Sequence, residues 1–344
     1  MTKEKLLLSN IQMLRAVAAI FVVLHHALPH YRVMGGSLEF VTTSLEWGFL
    51  GVDIFFVISG FIMAYTTFNK ERTFSSAKTF FKHRLFRIYL GYWAFFMVMA
   101  IMLYMTNPQK LFNLDILGSF FLMNSNMFEL VLPISWSLSY ELYFYFLFIF
   151  TFFFSVKQLN ILMPLVMLVI LAISIYSYFE VSFVESFFYS PFLLEFFAGV
   201  LLYIYRDYIL KLWMLPFVTI LAMVAYGYGI EYELKNGIFR IATFGVGALL
   251  VVMIALIVEQ HKIYSAGKLL QSLGDSSYTL YLSHLIIIEL FYIVGLREFF
   301  TGSQYSAIFG LMLVTLISVV FSLIYYKFIE KPIYKKALKY GENI

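Results

Sequence analysis

The chain has 344 residues, of which 62% are hydrophobic and 13% charged, with a formal charge of +4 and a mean hydropathy of +0.86. Such a balance excludes an ordinary soluble domain, and no nucleic-acid partner is expected of it. The lack of cysteine excludes disulfides, a thiol nucleophile and thiolate metal sites.

Ten apolar runs follow one another, at roughly 11–29, 48–68, 86–105, 132–154, 160–179, 190–205, 213–230, 238–258, 276–296 and 305–328. They predict an all-α integral membrane protein of about ten transmembrane helices, filling 1–344 as a single multi-span domain. Lys3 and Lys5 precede the first run as in a signal peptide, yet cleavage would discard Arg15 and His26, so the run is read as a retained span. Basic residues concentrate in alternate loops: 18 of the 24 fall in the segments assigned to the inside, including Lys70, Arg72, Lys78, Lys82, Arg84 and Arg87 in one loop. The positive-inside rule then puts both termini in the cytoplasm and the chain in the cell's cytoplasmic membrane.

Within the first run, Arg15 and His26 are eleven residues apart, about three turns, so they share a face roughly 16 Å apart along the axis. An Arg near a helix end can snorkel, but His26 is surrounded by apolar residues and points to protein. The second run opens Gly48-Phe-Leu-Gly51-Val-Asp53-Ile-Phe-Phe-Val-Ile-Ser59-Gly60-Phe61, where Gly51 and Gly60 allow close helix approach. The segment 106–131 is rich in Asn and Asp and is expected to form a polar, turn-rich outer cap. Ser137, Glu141 and Tyr145 make a polar stripe at i, i+4, i+8 on a Phe-rich helix. Ser277, Tyr281 and His284 make another at i, i+4, i+7 in the ninth run. His25 and His26 are adjacent and face different ways, so no metal is expected.

Taken with Gly51–Phe61, the Arg15-to-His26 spacing resembles the membrane acyltransferase family three, and the chain looks closest to its single-domain exopolysaccharide O-acetyltransferases. The resemblance continues through His83-Arg84-Leu85-Phe86-Arg87, where the family's first Arg is His83, then Trp136-Ser137-Leu138 with Glu141, and Glu195 with Gly199. It ends with Gly274, Ser277-Tyr278, Tyr281, His284 and Ile329-Glu330-Lys331-Pro332. It implies transfer of an acyl group, usually acetyl, from cytoplasmic acyl-CoA (acetyl-CoA above all) to a hydroxyl of a cell-envelope or exported polysaccharide. The partners it implies are acyl-CoA, a glycan acceptor, the lipid bilayer and polysaccharide-synthesis proteins.

On that reading His26 is the general base, since an imidazole titrates near operating pH. Glu141 is the first candidate to orient or charge-balance it, and Asp53 the rival. Arg15 either binds phosphate or stabilises the oxyanion. Lys82, Arg84 and Arg87 are suited to donor phosphates, although topology alone also explains basic residues there. His284 and Tyr281 either line the donor path or serve helix packing. From other classes, a proton-coupled transporter would use Arg15, His26, Glu141 and His284 as a relay, and a non-catalytic subunit would serve polysaccharide export.

Overall fold

The computed structural model describes residues 8–179 and 187–341. The helices are α1 (Ser9–Val33), α2 (Glu39–Glu46), α3 (Gly51–Thr67), α4 (Phe74–Thr106), α5 (Pro108–Phe112), α6 (Ile116–Phe121), α7 (Trp136–Ile149), α8 (Val156–Phe179), α9 (Phe192–Ile209), α10 (Leu215–Glu231), α11 (Gly237–Arg240), α12 (Val246–Gln260), α13 (Lys268–Asp275), α14 (Ser277–Ile293), α15 (Gln304–Tyr325) and α16 (Lys331–Gly341). Among the described residues there is no strand, and nine helical segments are long and apolar enough to cross a membrane. A tenth arises if α13 and α14, bent by 65° at their junction, count as one crossing. Each apolar run of the sequence coincides with one of these ten.

The chain divides into two units. The first comprises Met1–Leu14, Asp53–Phe81 and Tyr140–Gln271, the second Arg15–Val52, Lys82–Ser139 and Ser272–Ile344. In the first unit, α3 and α9 cross with their backbones in contact. A Cβ on Gly60 would fall 1.9 Å from the Phe196 carbonyl oxygen, and one on Gly199 would fall 2.1 Å from that of Val57. Only glycine permits this approach, the packing that apolar helices need where lipid is as oily as they are. Phe196 then stacks on Phe144 at 4.4 Å and on Phe56 at 4.6 Å.

The start of α1 is clasped from far along the chain. The Glu259 carboxylate accepts from the backbone N–H of Ser9 (2.7 Å) and of Asn10 (3.1 Å), and from the Ser9 hydroxyl. The Asn10 amide donates to the Tyr264 carbonyl at 2.9 Å, and its oxygen accepts from Ala266 N–H at 2.9 Å. Two of the unpaired N–H groups that every helix start leaves are thereby satisfied by an anion suited to the positive helix end. Nearby in sequence to α3, Arg72 has its guanidinium between the rings of Phe68 (4.9 Å) and Phe152 (5.4 Å). Its nitrogens are buried with no hydrogen-bond partner among the described residues, and burial pulls its pKa below the ordinary arginine value.

Two expectations need correcting. Lys78, Lys82, Arg84 and Arg87 are on α4, which begins at Phe74, and not in a loop. Nothing between Phe74 and Leu90 breaks a helix, and Lys and Arg favour one, so the helix runs through the basic segment. At 33 residues it is roughly 50 Å long, well beyond the 30 Å or so of hydrocarbon. Nor is 106–131 a cap beyond the end of α4. Asn107 and Asp115 do cap α5 and α6, accepting from Lys110 and Gly118 N–H at 3.0 and 2.8 Å. Yet α6 turns back along α4: Tyr89, Tyr92 and Trp93 donate to the carbonyls of Phe121, Ser119 and Phe120. Those three residues precede Thr106 by about 20–25 Å of helix. The aromatic side of α6 drives the return, with Phe120 stacked on Trp93 at 5.2 Å.

Candidate active site

The second unit holds a pair of histidines. His26, eighteenth residue of α1, and His284, eighth of α14, approach with His284 Nε2 3.3 Å from His26 Nδ1. Backbone contacts fix both tautomers. His26 Nδ1 lies 2.9 Å from the Val22 carbonyl and His284 Nδ1 lies 3.2 Å from that of Leu280. A carbonyl only accepts, so both Nδ1 atoms carry protons when the rings are neutral. His284 Nε2 is then a lone pair that receives the His26 Nδ1–H, shared with Val22. The lone pair of His26 is on Nε2, pointing away from this network. His284 is fully buried, whereas His26 is half-buried. His25 turns elsewhere, its Nδ1 3.0 Å from the Leu45 carbonyl and its ring edge-on to Phe49.

Below His284 on the same helix, Tyr281 donates to the Ile134 carbonyl at 2.8 Å and meets Ser137 Oγ at 2.8 Å. Its hydroxyl thus ties α14 to the start of α7, and the Ser137 hydroxyl is held in the same knot. Tyr278 continues the stripe, donating to the Ile88 carbonyl at 2.8 Å, with the Arg87 guanidinium over its ring at 5.8 Å. Glu330 accepts from Thr279 Oγ1, and both Arg87 and Arg15 are close enough for their charges to act on its carboxyl. The structure therefore brings Arg15, Arg87 and Glu330 into one neighbourhood. Lys82, His83, Arg84 and Arg87 are all half-buried on α4, unlike solvated topology signals. Arg15 is about 16 Å along α1 from His26, too far to touch a group reacting there.

The two carboxylates proposed from sequence belong to the first unit. Asp53 is fully buried and holds Arg240 with two parallel bonds, 3.0 Å to Nε and 2.7 Å to Nη2. Phe192 lies under that guanidinium at 4.9 Å. Arg240 escapes sequence reasoning because it follows a turn, where an Arg looks like an interfacial anchor. The hint is its position inside the apolar run 238–258; in the structure it closes α11, and a π-helical turn, Ile241–Gly245, follows it. Glu141 accepts from Ser59 Oγ at 2.9 Å and from the Tyr145 hydroxyl, the two neighbours that its i+4 stripe and the second run supply.

These helices, histidines and basic residues fit the comparison with known families. The acyltransferase domain family matches residues 8–327, and the chain belongs to it. It is a multi-pass membrane acyltransferase, a member of acyltransferase family 3. No curated protein and no solved structure was found to match it. The reaction class sets aside the transporter and the export subunit. His284 as partner of His26 and Arg240 as partner of Asp53 are what the sequence alone does not reveal.

Proposed function

We propose that the protein transfers an acyl group, acetyl above all, from cytoplasmic acyl-CoA to a hydroxyl of a cell-envelope or exported polysaccharide. The observation that carries this is the His26–His284 pair, with one lone pair, on His26 Nε2, left for chemistry. His26 Nε2 takes the proton of the acceptor hydroxyl as its oxygen attacks the thioester carbonyl. The imidazolium so formed keeps Nδ1–H on His284 Nε2, a hydrogen bond that strengthens as charge develops. Collapse of the tetrahedral intermediate breaks the C–S bond, and the imidazolium proton passes to the departing thiolate. His284 thus takes the orienting role first considered for Glu141 and Asp53, whose carboxylates already have Ser59, Tyr145 and Arg240 as partners.

Arg15, Arg84, Arg87 and Lys82 hold the donor's phosphates on the side that the charge distribution gives to the cytoplasm, with both termini there. The 16 Å or so from Arg15 to His26 suits a pantetheine arm spanning phosphate site to base. Glu330 keeps the arginines oriented when no donor is bound. The acceptor, and any polysaccharide-synthesis partner, comes from the opposite side of the cytoplasmic membrane.

Steady-state kinetics and CoA calorimetry on purified protein test the division of labour. A phosphate contact is worth about 1.5–3 kcal/mol, so Arg87→Gln raises donor KM roughly ten- to more than hundred-fold with kcat little changed. His26→Ala does the reverse, with kcat collapsing and CoA affinity kept. Unchanged CoA affinity in an Arg84→Ala/Arg87→Ala double variant would reject the phosphate site.

A further inference from the structure

The first unit holds a carboxyl that the Asp53–Arg240 pair does not account for. Glu195, fourth residue of α9, is only 1% exposed, and neither of its oxygens has a hydrogen-bond partner among the described residues. Buried polar groups are nearly always paired, so an orphaned carboxyl in a membrane-crossing segment calls for a reason. The titratable and charged groups that face it are Asp53 of α3, Arg240 of α11 and Tyr226 of α10. The backbone is fitted closely to it as well. A Cβ on Gly245, at the end of the π-helical turn, would fall 2.7 Å from Glu195 Oε1.

Charge decides what the carboxyl needs. Asp53 grips Arg240 with two bonds, and that pair is electrically complete. An ionised Glu195 would add a second anion with no cation of its own. Its oxygens could then only accept, and so could those of Asp53, which lie near enough for a hydrogen bond once a hydrogen is supplied. A metal cation does not suit the place, because the guanidinium already fills the cationic position. One proton removes both faults. It cancels the extra charge and gives Glu195 an O–H to donate, the usual outcome where two carboxyls are too close for both to ionise.

We infer that Glu195 and Asp53 bind one proton between them, carried on Glu195 and donated to the Asp53 carboxylate, which makes Glu195 the reserve counter-ion of Arg240. If Asp53 ceases to be an anion, Glu195 releases the proton and its carboxylate takes the guanidinium. The inference concerns the first unit alone and does not depend on the acyl-transfer reading.

Infrared spectroscopy tests it on the full chain, reconstituted in vesicles at neutral pH. A protonated carboxyl absorbs apart from carboxylates, and its band shifts in deuterium oxide. The wild type is expected to show such a band, and Glu195→Gln and Glu195→Met to lack it, with thermal unfolding identifying which of the two variants is folded. Asp53→Asn is expected to lose the same band although Glu195 is still present, because Arg240 then draws the proton off its remaining carboxyl. Asp53→Asn/Glu195→Gln, with neither anion left, should unfold at a lower temperature than Asp53→Asn. A wild-type spectrum identical to that of the folded Glu195 variant overturns the proposal, since Glu195 is then ionised. So does a band undiminished in Asp53→Asn, which would make Glu195 a neutral acid with no tie to the pair. Equal unfolding temperatures for the single and double Asp53 variants would overturn the reserve role.

Discussion

At the level of single residues, the two imidazoles make a quantitative expectation. His26→Ala removes the base and lowers kcat by about 10²–10⁴-fold. His284→Ala removes one hydrogen bond to a developing cation, worth on the order of 1.5–3 kcal/mol, and lowers kcat roughly ten- to hundredfold. The double variant should be scarcely worse than His26→Ala alone, because the second ring acts only through the first. Rates that multiply would show that His284 has a separate role. The buried pair in the first unit gives a stability test. Asp53→Asn removes the carboxylate that grips Arg240 with two bonds, leaving buried Glu195 as an acidic neighbour of that charge, and costs up to about 3–5 kcal/mol, whereas Asp53→Leu with Arg240→Met together restores much of the loss. Thermal unfolding of the three variants decides this, and equal unfolding temperatures would mean that the pair contributes nothing. His26 is legible in the sequence because a histidine inside an apolar run is costly unless it has a partner. His284 is legible as a polar position on a helix face, but periodicity does not say which helix that face meets. Its partner is 258 residues away, and only folding joins them.

At the level of elements, the run lengths predict the crossings well because hydrocarbon thickness sets a length that composition reveals directly. Where the prediction fails, polarity misleads. The start of α4 looks like a loop because it is basic, and helix propensity, which favours Lys and Arg, wins over the hydropathy pattern. The segment 106–131 looks like a cap because it is rich in Asn and Asp. Its polar groups satisfy one another, Asn124 bridging Asp115 and Glu129 at 3.0 Å each, which frees the aromatic side of α6 to pack along α4. The glycines separate packing from propensity in a way that can be measured. Gly199→Leu puts side-chain atoms into the Val57 backbone and should abolish recovery of folded protein. Gly227, within α10, has open space where a Cβ would be. Gly227→Ala should therefore stabilise by up to about 1 kcal/mol, from helix propensity alone. Loss of stability in Gly227→Ala would mean that α10 is packed at that point.

For the whole molecule, the distribution of charge makes one topological claim. The chain has no cysteine, so single thiols report cleanly. Ser75→Cys, at the start of α4, and Ser303→Cys, capping α15, should react with an impermeant maleimide from opposite sides of the membrane. Reaction of both in intact cells would overturn the ten-crossing arrangement.

The clasp on α1 has a temporal meaning as well. The helix α1 has its opening N–H groups completed by Glu259, 250 residues later. At roughly 5–20 residues per second, that carboxylate is made about 10–50 s after Ser9. Throughout this interval the helix that carries Arg15 and His26 is in the membrane with its leading end unfinished. Closing it waits until about three quarters of the 344 residues have been made. Nascent chains that stop short of α12 would carry a base whose helix is not yet anchored, so activity is withheld until most of the protein exists.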